Sequence, residues 1–363
     1  MNIEFSKAQQ DLFASNLAQI DADIAKAEGT PNHLLYLYNK ALMLLAAGKF
    51  EEGWPLFKVR FNAPGFKFSS EHFPLPTWNG EQLAGKHVFL WLEQGIGDQI
   101  MSASMLNELT DAVGDGSVTL LADRVLVDTL RRSFPKVDVY KVGEEPSERL
   151  ELWDFDFQLC FSDLGLMFRK SFTDFPGTPY LKADPAKTAA FRHKYSRDGN
   201  KIVGIAWSSA NNKIGRDKSF RLAELKTILT DPNYTFVNMQ YGDHFEELMD
   251  AKDHGVDIIC DQDVDQLIDM DDFCAQVASV DYIISNSNTL VHVAGALGVE
   301  AHVLLPLGAG RLWYWFSEAT RNPWYASLRL HRQTTMGEWA GALFSLKKAI
   351  YAPREDQLCQ RSA

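Results

Sequence analysis

Residues 281–306, DYIISNSNTLVHVAGALGVEAHVLLP, contain the pattern that decides the fold class. An apolar strand at 281–285 is followed by a polar turn at 286–289, a small-residue helix closed by Gly298, and a second apolar strand at 301–305. Such strand–turn–helix–strand units build parallel sheets, and the turn lies at the edge where these sheets bind ligands. Because first-turn N–H groups lack an intrahelical partner and carry positive potential, the turn predicts an anion site suited to a diphosphate.

The side chains of this turn add short hydrogen-bonding groups beside those amides. We predict that Ser287, Asn288 and Thr289 contact the diphosphate. His292 follows in the first helical turn, where the dipole favours a neutral imidazole that donates one hydrogen bond to a phosphate oxygen. Packing against the sheet is the alternative role for His292, so it ranks below the three turn residues.

The same alternation of strands and helices extends through most of the chain. Two series are present, one starting at HVFLWL (87–92) and the other at KIVGIAW (201–207), and the proline-rich stretch 171–188 predicts a linker between them. The sequence therefore predicts an α/β protein with two parallel-sheet domains, at 63–183 and 184–335, and a cleft between them.

Residues 1–62 have helical periodicity instead. The segment LLYLYNKALMLLAAGKFEEGWPLFKVRF (34–61) resembles a tetratricopeptide helix pair, and a plain helical hairpin is the alternative. Because one repeat cannot bury its own apolar face, we expect the pair to pack on the next domain, with a partner protein on its free side. Residues 63–85 predict an irregular connector, and residues 336–363 predict a last helix and tail.

Composition narrows the class of protein. The chain has 363 residues, 46% hydrophobic and 23% charged, which is typical of soluble enzymes. Its net charge of −12 argues against nonspecific nucleic-acid binding. No signal pattern and no membrane-length apolar run is present, and the four cysteines form no CxxC pair, so we predict a cytoplasmic protein with reduced thiols and no membrane span.

The first candidate for chemistry is the turn WLEQGIGDQI at 91–100. Gly95 and Gly97 allow the backbone to come close to a ligand, and Asp98 opens the helix that follows. The turn is not the dinucleotide fingerprint, because Ile100 occupies the third glycine position. Asp98 is a candidate general base for a hydroxyl nucleophile; alternatively, it caps the helix, where the dipole would lower its pKa.

The second candidate is the basic loop WSSANNKIGRDKSFR at 207–221. Loops that follow parallel strands face the ligand cleft, and a cation there would stabilise a leaving diphosphate. We select Lys213, with Arg216 and Ser208 as further donor contacts; a solvated basic loop is the alternative.

Two acidic clusters raise the question of a metal ion. They are the D-x-D pair within WDFDF (153–157) and the pair Asp261 and Asp263. An edge strand with one wet face explains the first equally well, and acidic clusters are common at this composition. We therefore predict no metal site and no cofactor.

Four motifs occur in order: GIGD, WSSANNK, SNSNTLVHVAGALG and RNPWYASLRL (321–330). Together they resemble bacterial glycosyltransferases joined to tetratricopeptide repeats, which are related to lipopolysaccharide heptosyltransferases and more distantly to O-linked N-acetylglucosamine transferases. The resemblance implies the glycosyltransferase-B fold, in which two Rossmann-like domains face each other. It also implies metal-independent transfer, with an acceptor protein or glycan mainly on the first domain and a nucleotide sugar mainly on the second.

The resemblance also implies residue roles. It makes Asp98 the acceptor base and Lys213 a diphosphate contact, gives the donor phosphates to residues 287–289, and places Gln240 at the end of the strand that approaches the nucleotide. One departure is that many relatives carry V-D-T-A where this chain has N-S-N-T at 286–289, so Ser287 replaces an aspartate. This replacement keeps one rival function open, a non-catalytic protein-binding adaptor on the same scaffold. A second rival, a sugar-nucleotide epimerase, stays open because it uses a similar two-domain fold.

Overall fold

The computed structural model describes residues 7–64, 73–142, 154–317 and 321–351. Its strands form two fully parallel sheets, one in each predicted domain. The first sheet contains β1 (His87–Trp91), β2 (Ser117–Ala122), β3 (Val137–Lys141) and β4 (Phe157–Cys160). The second contains β5 (Lys201–Ile205), β6 (Tyr234–Asn238), β7 (Ile258–Ile259), β8 (Tyr282–Asn286), β9 (Ala301–Leu305) and β10 (Leu328–Arg332).

The strand orders place one switch point in each sheet. The first sheet runs β3-β2-β1-β4 and the second β10-β9-β8-β5-β6-β7, the order of a doubly wound dinucleotide-binding fold. Chain direction around the sheet reverses between β1 and β4, and again between β5 and β8. Ligands of doubly wound folds bind outside the carboxyl ends of strands at such points, so each domain has one expected binding edge.

The helices fill the connections and the N-terminal segment. In chain order they are α1 (Lys7–Lys26), α2 (His33–Ala46), α3 (Phe50–Phe57), α4 (Ile96–Ala103), α5 (Leu106–Val113), α6 (Val127–Ser133), α7 (Leu164–Phe168), α8 (Pro185–Tyr195), α9 (Gly215–Lys218), α10 (Lys226–Leu229), α11 (Phe245–Asp253), α12 (Met270–Ala278), α13 (Thr289–Leu297) and α14 (Ala340–Tyr351). The decisive unit β8–α13–β9 is confirmed, with Gly298 in the left-handed conformation at φ 79°.

Two predictions about the elements are wrong in part, and one strand was not predicted. The proline-rich stretch 171–188 is not entirely a linker, because α8 begins at Pro185. Asp184 caps that helix, accepting bonds from the N–H groups of Ala186 and Lys187. The helix that Asp98 was expected to open begins at Ile96 instead, and a second helix, α5, follows it before β2. Strand β10 was not predicted, although it lengthens the second sheet.

The N-terminal helix pair α2–α3 packs on both domains, as the need to bury its face predicts. The Trp54 indole donates to the carbonyl of Arg169 at 2.8 Å and packs edge-on against Trp313, with ring centroids 5.3 Å apart. The N–H of Ser317 donates to the carbonyl of Ala46 at 3.0 Å. The helix pair is therefore packed against both domains as part of the folded core. Its relation to tetratricopeptide repeats stays a prediction.

The predictions about reduced cysteines and about membrane spans can be compared with the described residues. Cys160, Cys260 and Cys274 are free thiols, as predicted, and Cys359 lies outside those ranges. No described helix combines the length and apolarity that a bilayer span needs. Residues 65–72 of the predicted connector, part of the WDFDF stretch and residues 352–363 of the predicted tail also lie outside the described chain.

Candidate active site

One cleft of about 370 Å³ lies where the two binding edges face each other. Residues that follow β1, β4, β5 and β8 line it, so both switch points contribute. They are Gln94–Asp98 from the first, Ser162 from the second, Ser209, Asn211 and Ile214 from the third, and Ser287–Thr289 from the fourth. The volume lies within the range of small-molecule sites, roughly 300–1,000 Å³.

Asp98 is the acidic group of this cleft. It lies in the first turn of α4, after Gly95 at the N-cap, and is partly buried. Burial and the charge of Glu93 raise the pKa of Asp98 to about 6, while backbone N–H groups and the charge of Lys218 oppose the rise. The sequence argument expected the helix terminus to dominate; burial dominates instead, and the carboxylate is a stronger base than a capping aspartate.

Gly97 holds the two domains in direct contact. A Cβ added to Gly97 would lie 2.9 Å from Cδ2 and 3.3 Å from Nε2 of His292, on helix α13 of the other domain. A side chain at this position would therefore force the domains apart. Its predicted contact with the donor stays a prediction, although Gly97 does line the cleft.

Hydrogen bonds from inside the turn and from Trp315 fix the turn after β8. The Trp315 indole donates to Oγ of the buried Ser287 at 2.7 Å, and Asn288 Nδ2 donates to Oδ1 of Asn286 at 2.8 Å. Asn288 occupies the N-cap of α13, yet its side chain makes no capping hydrogen bond. Asn288 and Thr289 line the cleft, and the first turn of α13 presents an anion-binding terminus there.

Lys218 is the basic group of the cleft, and sequence reasoning did not select it. It is 6% exposed, lines the cleft, and its positive charge lowers the pKa of Asp98. Burial lowers the pKa of Lys218 and the charge of Asp98 opposes that shift. The selected Lys213 and Arg216 are exposed and are not among the residues that line the cleft.

The local turn explains this placement of the cations. Asn211 Oδ1 accepts from the N–H groups of Lys213 and Ile214, at 3.0 and 3.1 Å, which tightens the chain before the single turn of α9. The carbonyl of Lys218 accepts from Asn286 Nδ2 at 3.2 Å, which anchors it beside the turn after β8. Sequence spacing gives no information on which cation of such a short helix faces inward.

Gln240 and Ser208 support the cleft from behind. Gln240 Oε1 accepts from the N–H groups of Trp207 and Ser208, at 2.9 and 2.7 Å, and its Nε2 donates to the carbonyl of Tyr241 at 2.9 Å. Neither Gln240 nor Ser208 is among the described cleft-lining residues. The structure therefore gives them roles in shaping the loop after β5, and their contact with a donor stays a prediction.

The N-terminal helices contribute a side of the cleft that sequence reasoning missed. Tyr38 and Leu42 of α2 line it together with Trp54 and Phe57 of α3. The helical periodicity marked α2 as partly buried but gave no sign that its surface faces a ligand cleft.

Arg60 links this helical segment to the acidic turn. Its guanidinium is fully buried and pairs with Glu93 at 2.7 Å and with Asp163 at 2.6 Å, while donating to Ser162 Oγ at 3.0 Å. Since Ser162 lines the cleft and the charge of Glu93 raises the pKa of Asp98, Arg60 holds the groups that surround the candidate base.

The acidic clusters have lysine partners. Asp156 accepts from Lys86 Nζ at 2.8 Å, and Asp261 and Asp263 share Lys194 Nζ, each at 2.8 Å. Within the described ranges, no group of three or more histidine, cysteine or acidic side chains has the arrangement of a metal site.

Comparison with known proteins adds relatives to this geometry. No family model matches the chain. Protein FlbA of Caulobacter vibrioides (strain ATCC 19089 / CIP 103742 / CB 15) is 33% identical over 376 residues, which cover 96% of this chain and 61% of FlbA. The chain thus spans less than two thirds of the length of this relative.

Solved structures with the same fold are glycosyltransferases. The glycosyl transferase family 9 protein of Veillonella parvula DSM 2008 has a TM-score of 0.55 at 13% identity, covering 75% of this chain and 92% of its own. The E. coli ADP-heptose lps heptosyltransferase II has a TM-score of 0.51 at 14% identity, covering 76% and 100%. The heptosyltransferase type of α/β fold is confirmed, whereas the predicted links to tetratricopeptide proteins and O-linked N-acetylglucosamine transferases stay predictions.

Proposed function

We propose that this protein is a glycosyltransferase that moves a hexosyl or heptosyl group from a nucleotide diphosphate to a hydroxyl acceptor. One observation carries the proposal: a single cleft joins both switch points and places a carboxylate of raised pKa, Asp98, opposite Lys218 and the N-terminus of α13. A proton acceptor and an anion site in one cleft are the two groups that this reaction requires.

The donor belongs on the second domain. Lys218 and the first-turn amides of α13 would bind the diphosphate and stabilise its charge as it leaves. These groups neutralise charge without a divalent ion, which is the basis for proposing metal-independent transfer. The neighbour named as an ADP-heptose heptosyltransferase makes ADP-linked sugars the first donors to test.

The acceptor belongs on the side of Asp98. With a pKa of about 6, its carboxylate is ionised at neutral pH and takes the proton of the acceptor hydroxyl. The acceptor oxygen forms the new bond to the anomeric carbon while the bond from that carbon to the diphosphate oxygen breaks. The proton ends on Asp98 and the electron pair on the nucleoside diphosphate.

The test combines binding with turnover. ADP, UDP and GDP are titrated by calorimetry, and release of the matching diphosphate from a panel of nucleotide sugars is measured with and without Asp98→Asn. We expect at least one diphosphate to bind at micromolar to millimolar affinity, and its sugar conjugate to be consumed only by the protein that retains Asp98. Absence of binding to all three would refute the proposal, whereas binding without turnover favours the adaptor function and donor conversion without an acceptor favours an epimerase.

A further inference from the structure

The ammonium group of Lys218 has no partner among the described residues. The side chain is 6% exposed and lines the cleft. Within the described ranges, its Nζ makes no hydrogen bond and no ion pair. Because a buried charge without a partner is costly, this lysine is suited to an anion that enters the cleft.

Contacts from outside helix α9 hold Lys218 in place. The carbonyl of Lys218 accepts from Asn286 Nδ2 at 3.2 Å. A Cβ added to Gly310 would lie 3.0 Å from Cγ of Lys218, so the aliphatic part of the side chain packs against the backbone after β9. Helix α9 has four residues, which is too short to be stable alone, so contacts of this kind decide where the cation lies.

The carbonyl of Lys218 sets the orientation of two amide side chains. A carbonyl only accepts, so Nδ2 of Asn286 must face Lys218, and Oδ1 of Asn286 is turned the other way. That oxygen also only accepts, and it lies 2.8 Å from Nδ2 of Asn288, which therefore donates to it. Each bond has one possible direction, and the series joins the loop after β5 to the N-cap of α13.

Asn286 belongs to the sheet beneath the cleft. It is the last residue of β8, it is fully buried, and it is not among the described residues that line the cleft. A buried strand of a parallel sheet usually carries apolar side chains, and burying an amide is costly unless its hydrogen bonds are made. Both ends of the Asn286 amide are used, one on each of the two segments that supply the anion site.

We propose that Asn286 is a positioning residue that holds the ammonium group of Lys218 beside the turn after β8. The inference rests on the proposed glycosyl transfer, to which it adds a residue that acts on the diphosphate without touching it. Lys218 and Asn286 are 68 positions apart in the sequence, so the pairing forms only when the loop and the turn are both in place. Loss of the Asn286 amide should therefore weaken diphosphate binding only while Lys218 is present.

The first experiment needs no ligand. Hydrogen–deuterium exchange detected by mass spectrometry follows the backbone amides of residues 215–219. We expect these amides to exchange about tenfold faster in Asn286→Leu, as for loss of one hydrogen bond. Unchanged exchange would overturn the inference.

A matched variant controls for the loss of a buried amide. Gln276→Leu alters a side chain of α12 in the same domain that is 2% exposed and outside the described cleft lining, and it should leave the exchange of residues 215–219 unchanged. If Asn286→Leu does not fold, Asn286→Val removes the same amide with less added volume.

The second experiment is a double-mutant cycle on the binding of ADP and of inorganic pyrophosphate. Calorimetry compares the unmodified protein with Asn286→Leu, Lys218→Met and the double variant. We expect Asn286→Leu to weaken binding about tenfold, and the double variant to bind within about twofold of Lys218→Met alone. A general loss of structure would instead add to the effect of Lys218→Met, so the cycle separates positioning from stability.

The remaining outcomes separate the two proposals. An additive cycle, with the double variant about tenfold weaker than Lys218→Met, would overturn the role of Asn286 and leave glycosyl transfer standing. A non-additive cycle on pyrophosphate, in a protein that binds neither ADP, UDP nor GDP, would support the role of Asn286 and refute glycosyl transfer. A protein that binds neither pyrophosphate nor any nucleotide contradicts both.

Discussion

The two domains use the same strand order around their switch points but present opposite chemistry to the cleft. The first supplies carboxylates, with Asp98 at the surface and Glu93 and Asp163 behind it. The second supplies a lysine, the neutral polar side chains of residues 287–289 and a helix N-terminus. In the proposed reaction one topology thus provides a proton acceptor on one side and an anion site on the other, and the residues at the strand ends set the proposed role of each half.

The largest effect should come from removing the carboxylate of the first domain. Asp98→Asn keeps the shape but cannot take the acceptor proton, so we expect the transfer rate to fall by about 10²- to 10⁴-fold. Nucleotide affinity should change little, since the anion site lies on the other domain. Asp128→Asn, which alters an exposed aspartate in the first turn of α6, is the matched control. A loss of nucleotide affinity as large as the loss of transfer rate would contradict the assignment of the base to the first domain and the anion site to the second.

The cation of the second domain should show the opposite pattern. Lys218→Met removes a buried charge while keeping much of the side-chain length, and we expect nucleoside diphosphate affinity to fall by about 10- to 100-fold, as for loss of a charged hydrogen bond. Lys213→Met and Arg216→Met remove exposed charges and should each change the affinity less than about twofold. Calorimetry on the three variants, after circular dichroism confirms folding, decides which cation binds the anion.

The contact between the domains can be tested through its glycine. Gly97→Ala places a methyl 2.9 Å from His292 Cδ2, and we expect it to lower the free energy of unfolding by roughly 1–3 kcal/mol, as overpacking does. Gly95→Ala in the same turn meets Asp98 Oδ2 at 3.6 Å, an ordinary contact, and should cost less. Urea titration of both variants measures the difference, and equal midpoints would show that the domains adjust freely.

The smallest expected effect on the transfer reaction is a shift in its pH dependence. If Asp98 is the base, we expect transfer to become faster as pH rises through about 6, with a plateau above, because the raised pKa keeps the group protonated below that value. The charge of Lys218 lowers this pKa, so Lys218→Met should move the midpoint of kcat/KM to higher pH. A midpoint that moves to lower pH, or stays fixed, would show that the charge of Lys218 does not lower the pKa of Asp98.

Raising the pKa of Asp98 also has a cost in stability. The folded protein binds the Asp98 proton more tightly than the unfolded chain, whose pKa is near 3.8. The contribution of this group to stability therefore falls as pH rises from about 4 to 6 and stays low above. Asp98→Asn should melt at a higher temperature than the unmodified protein at neutral pH, and this difference should disappear below pH 4.

The sequence predicted the alternating strand–helix units of this fold well, and it predicted elements without a clear local signal poorly. The β8–α13–β9 unit follows from periodicity and a terminating glycine, which are local signals. Helix α8 was missed because Pro185 was interpreted as a breaker, although proline at the first helical position also begins helices. Strand β10 was missed because its apolar positions alternate with charged ones inside an irregular stretch.

In the candidate site too, the sequence predicted the residues placed by local pattern and missed those placed by tertiary packing. Asp98 and residues 287–289 follow strand ends directly, so topology alone brings them together. Lys218 depends on how one short helix is anchored, by the nearby Asn211 at its start and by Asn286, which is distant in sequence. The side of the cleft formed by helices α2 and α3 depends on tertiary packing, and no local sequence pattern predicts it.

The buried Arg60 has a consequence for anyone who wishes to alter the substrate of this protein. A chain beginning after residue 62 would leave Glu93 and Asp163 in a dry interior without their counter-charge, a loss that costs about 3–5 kcal/mol for a broken buried pair. The leading helices therefore cannot be trimmed or exchanged as a detachable tether. Chimeras that exchange the first domain have to carry the first sheet and these helices together.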